Sequence, residues 1–73
     1  MVKESKRERF IRVAENRTNR IIKDLKLLAN CANKSNYEYS EKDVQKIFNA
    51  IETQLKETKA IYKINEEVKE FKL

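Results

Sequence analysis

Residues 32–44 read Ala32-Asn33-Lys34-Ser35-Asn36-Tyr37-Glu38-Tyr39-Ser40-Glu41-Lys42-Asp43-Val44. Asparagine and serine tolerate turn geometry, so this polar stretch reads as a loop. Asn33 is the candidate for the left-handed residue that ends the preceding helix. At the other end of the loop, Ser40 and Asp43 have the spacing of a capping box, in which each side chain satisfies a free backbone amide of the other residue. Tyr39 can pack on Val44 as a hydrophobic staple. A helix therefore ends near Ala32, and a second begins near Glu41.

Toward the amino terminus, Ile11, Ala14, Thr18, Ile21, Leu25, Leu28 and Ala32 recur at alternating steps of three and four, which keeps them on one helix face. Phe10, Ile22 and Ala29 widen this stripe. Ser5 and Glu8 form another capping-box pair, so helix one is expected over about 6–32. Toward the carboxyl terminus, Val44, Ile47, Phe48, Ile51, Leu55, Thr58, Ile61 and Tyr62 share a face. Ile64, Val68 and Phe71 continue it at a shifted angle, giving a second helix over about 41–70. At about 1.5 Å per residue the two helices are of matched length, roughly 40 to 45 Å.

The expected fold is all-α: an antiparallel two-helix hairpin forming a single domain over 1–73. Glycine and proline are both absent, which removes the usual residues of tight turns and phosphate-cradling loops. A core in 73 residues supplies little net stability. The single Cys31 cannot close an intrachain disulfide, and the lack of histidine leaves no zinc-ligand set. Association is the remaining support. Because one seam leaves Phe10, Phe48 and part of the Tyr62–Phe71 stretch uncovered, a homodimer forming a four-helix bundle is expected.

Charge is distributed unevenly. All five arginines, Arg7, Arg9, Arg12, Arg17 and Arg20, lie within fourteen residues. Residues 1–34 carry ten basic and four acidic side chains, +6, and residues 35–73 carry seven and eight, −1. On a helical projection Arg9, Arg12, Asn16, Arg20 and Lys23 fall opposite the apolar stripe. Such a ridge suits a phosphate backbone or an acidic protein, since guanidinium makes bidentate contacts with anions. It equally suits a solvated outer face. Val13 and Leu27 fall on this polar side and are candidate protein contacts, with Tyr37 and Tyr39 in the loop. The tyrosines also have a structural reading, closing the end of the bundle.

Catalysis requires a poised acid, base or nucleophile in a pocket that excludes water, and a histidine-free hairpin offers neither. Cys31, near the carbonyl end of helix one, reads as a small buried residue and not as a nucleophile. Glu38, Glu41 and Asp43 lack the spacing of a calcium loop. The reading is of a protein that is not an enzyme, with no cofactor, no metal and no small-molecule substrate. No segment is apolar enough to span a membrane and no signal-peptide core is present, so no membrane partner and a cytoplasmic location are expected.

The segments Glu8-Arg9-Phe10, Arg17-Thr18-Asn19, Asn30 through Tyr39 and Glu41-Lys42-Asp43-Val44 resemble a family of short uncharacterised helical bacterial proteins associated with plasmids, phages or other mobile elements. The resemblance covers about residues 6–63 and implies a helical hairpin, with no binding residues to carry over. Three functional readings remain open: a small accessory or regulatory module that binds a larger protein, a nucleic-acid-binding protein using the basic face of helix one, and a purely structural, self-assembling helical spacer.

Overall fold

The computed structural model describes residues 3–62, and all regular structure among them is helical. Helix α1 spans Lys6–Ala29, a 3-10 turn follows at Asn30–Ala32, and helix α2 spans Glu41–Ile61. The chain divides into two units between Glu38 and Tyr39. The expected continuation of helix two to residue 70, with Ile64, Val68 and Phe71, lies outside the described residues.

Both helix starts are built by reciprocal caps. The Glu8 amide donates to Ser5 Oγ at 3.0 Å while the Ser5 amide donates to Glu8 Oε1 at 2.9 Å. At α2 the Asp43 amide donates to Ser40 Oγ at 3.2 Å, and the Ser40 amide donates to Asp43 Oδ2 at 2.9 Å. Each box satisfies two backbone donors that the helix itself leaves open and places an acid where the helix dipole favours negative charge. Tyr39 and Val44, which flank the second box, are both half-buried, as a staple requires.

The end of α1 differs from expectation. Asn33 has φ −71° and ψ 104°, an extended conformation and not a left-handed one. Its helix is closed instead by the tightened 3-10 turn, in which the Asn33 amide donates to the Asn30 carbonyl at 3.4 Å. Asn33 then organises the following turn as an acceptor. Its side-chain oxygen takes the Ser35 amide at 2.9 Å, and its carbonyl takes the amides of Asn36 and Tyr37 at 3.1 and 3.0 Å. A side chain that supplies a local acceptor removes the need for positive φ.

Neither helix buries a side chain. Both nevertheless carry the apolar stripe read from sequence. Leu28 and Ala14 on α1 and Val44 and Ile51 on α2 are half-buried, whereas Ile21 is 60% and Leu55 53% exposed. Thr58 fits within the α2 stripe because its hydroxyl donates to the Gln54 carbonyl at 2.8 Å, which satisfies it without a distant partner. Among the described residues no helix is long and apolar enough to cross a membrane.

Candidate interaction surfaces

The helical geometry of α1 places two surfaces back to back. On one side lies the apolar stripe, an arc about 120° wide at the 100° step of an α-helix. A shallow groove lined by Phe10, Ile11, Ala14, Glu15, Thr18 and Asn19 runs along its edge. At its amino-terminal end the Arg7 guanidinium lies 6.0 Å from the centre of the Phe10 ring, at the limit of a cation–π contact.

On the opposite side are Arg9, Arg12, Asn16, Arg20 and Lys23, all exposed. Their surroundings are unequal. Glu4, just before the cap, turns back along the helix to meet Arg12: Nε donates to Oε2 at 2.8 Å and Nη2 to Oε1 at 3.0 Å. Arg9 Nε lies 3.8 Å from Oε1 of the same carboxylate. The Arg12 hydrogen bond, with its charge and the neighbouring Arg9, holds the Glu4 carboxyl below the usual carboxylate range, and the carboxylate in turn raises the Arg12 pKa. Arg17, Arg20 and Lys23 have no ion pair or hydrogen bond among the described residues.

A second shallow groove is lined by Val13, Asn16, Arg17 and Arg20. It explains a departure from the sequence reading: Val13 is half-buried, because long arginine stems can cover an apolar neighbour while their charged heads stay in water. Leu27 is 53% exposed, as a contact residue on the polar face has to be. Tyr37 is also exposed, whereas Tyr39 is half-buried beside the α2 cap. The candidate contacts thus fall into an exposed pair, Leu27 and Tyr37, and a partly covered pair, Val13 and Tyr39.

Two participants escaped the sequence reading. Glu4 precedes the helix, so periodicity gave it no face. Arg17 projects between the stripe and the ridge, and only the groove shows that it joins Arg20. The buried position expected of Cys31 is corrected: the residue is exposed in the 3-10 turn, where the chain has left the α-helical path and none of the described residues covers it. Among the described residues no three His, Cys, Asp or Glu side chains gather as metal ligands. No protein-family model, no curated protein and no solved structure matches the chain.

Proposed function

We propose that the protein is a non-catalytic accessory or regulatory module that acts by binding a larger protein, and that its two helices pair as an antiparallel hairpin that dimerises into a four-helix bundle. The observation that carries this reading is the pair of uncovered apolar stripes on α1 and α2. Helix nucleation is costly, and most helical stability in proteins comes from packing an amphipathic face. Stripes at three-and-four spacing are suited to another helix, whose side chains fill the gaps between them.

The stripe residues also match in antiparallel order. With Ala32 level with Val44, the pairs Ala29 and Ile47, Leu25 and Ile51, and Ile21 and Leu55 follow in sequence. Thr18 then falls at the level of Thr58, and small Ala14 at that of large Tyr62. Any one-turn slip sets a threonine against a large apolar residue, so this register loses least. The hairpin leaves Phe10 and Phe48 at its flank for the second copy, and Leu27 and Tyr37 for the protein partner.

Sedimentation equilibrium on the wild type and on a variant carrying Ile21→Asp and Leu55→Asp tests this reading. The wild type is expected at twice the chain mass, and the variant as a monomer with reduced helicity. A variant that keeps the mass and helicity of the wild type would place the association surface elsewhere.

A further inference from the structure

We propose that the ridge of α1 opposite its apolar stripe binds the phosphate backbone of duplex nucleic acid, and that Glu4 competes with phosphate for the guanidiniums of Arg9 and Arg12. This inference does not rest on the hairpin and dimer association proposed above, which uses the apolar stripe on the other face of the helix.

The first observation is the geometry at Arg12. Two carboxylate oxygens lie against Nε and Nη2 at 2.8 and 3.0 Å. A phosphodiester presents two oxygens to a guanidinium in the same way, so the fork already holds an anion of the right shape. The second is the openness of Arg17, Arg20 and Lys23, which make no ion pair or hydrogen bond among the described residues. Asn16 lies between the two clusters and offers both a donor and an acceptor to backbone or sugar.

Dimensions agree with this partner. Arg9 to Lys23 spans about 21 Å along the axis, and a helix with its side chains is about 10 to 12 Å across, matching a major groove about 12 Å wide. A membrane fits poorly. An interfacial helix holds its cationic face at the headgroups only by burying a strongly apolar stripe in the bilayer, and the α1 stripe has no tryptophan and is interrupted by the polar Thr18. An acidic protein fits less well than nucleic acid, because the ridge presents a line of cations with its central apolar residue, Val13, already half-covered.

The test is a fluorescence-anisotropy titration of the full chain against a labelled mixed-sequence DNA duplex at several salt concentrations. Four contacts, from Arg9, Arg12, Arg20 and Lys23, give a log–log salt slope of roughly −3 to −4. Arg12→Glu with Arg20→Glu is expected to weaken binding on the order of 100-fold at low salt with unchanged helicity. If that variant loses helicity, Arg20→Gln with Lys23→Gln replaces it and is expected to flatten the slope by about 2. Glu4→Gln is expected to tighten binding about two- to fivefold, the scale of an exposed ion pair. Wild-type affinity in a folded ridge variant overturns the proposal. So does Glu4→Gln without tightening, or binding to phosphatidylserine vesicles or polyglutamate but not to duplex.

Discussion

Glu4 and Arg12 stand eight residues apart in sequence and meet through two parallel hydrogen bonds, 2.8 and 3.0 Å long. The cap at Ser5 makes this contact, since it turns the incoming chain so that the residue before it lies along the first turns of α1. Its pH dependence has a defined sign. Glu4 ionises more readily in the folded chain, so its contribution is fully present above its ordinary value, 4.5, and lost as pH falls through the lowered folded value. In an acid titration followed by circular dichroism, the wild type is expected to lose slightly more helicity than Glu4→Gln in that range. The difference is small because about a third of the Glu4 side-chain surface, 32%, is open to solvent. Superimposable curves would contradict the role given to this ion pair.

The Ser40 cap is expected to matter more to stability. Ser40→Ala leaves the Asp43 amide without its side-chain acceptor and costs about 1 kcal/mol, read as a lowered Tm. Ser40→Asp, which can still accept that hydrogen bond, is expected to recover most of the loss. An Ala variant as stable as the wild type would mean that α2 starts at another residue.

Asn33 gives a prediction opposite in sign to the one its sequence context suggests. For a left-handed residue, Asn33→Gly is stabilising. With φ at −71°, glycine gains nothing, loses the acceptor of the Ser35 amide and adds freedom to the unfolded chain. The expected outcome is destabilisation by about 0.5 to 1 kcal/mol. A rise in Tm would contradict the extended geometry.

The local structure was legible in the sequence to the extent that it depends on neighbours three or four residues apart. Ser5 with Glu8 and Ser40 with Asp43 are such pairs, and both form as read. Asn33 was misread because two local solutions compete for an asparagine at a helix end, and composition does not rank a side-chain acceptor above a left-handed turn. Glu4 was missed because its partner depends on the direction in which the chain enters the helix. The stripes were legible as surfaces, but periodicity records that a face is apolar and not what covers it.

The proposed hairpin can be checked through the exposed Cys31, which has to be removed before labels are placed elsewhere. With Cys31→Ser, spin labels at Asn16→Cys and Ala60→Cys lie level with each other in the proposed register. Antiparallel neighbours give a label separation of roughly 20 to 30 Å, given axes about 10 Å apart. A distance beyond about 50 Å, the scale of two helices end to end, would contradict the hairpin.

The most direct measurement of the central claim, that the two apolar stripes are association surfaces, is helicity and solution mass followed together on dilution. Covered stripes predict a dimer at high concentration, with mass falling as the chain is diluted and helicity falling with it, since packing stabilises the helices. A monomer that keeps full helicity throughout the dilution would contradict the dimer, and with it the account of what holds α1 and α2 in place.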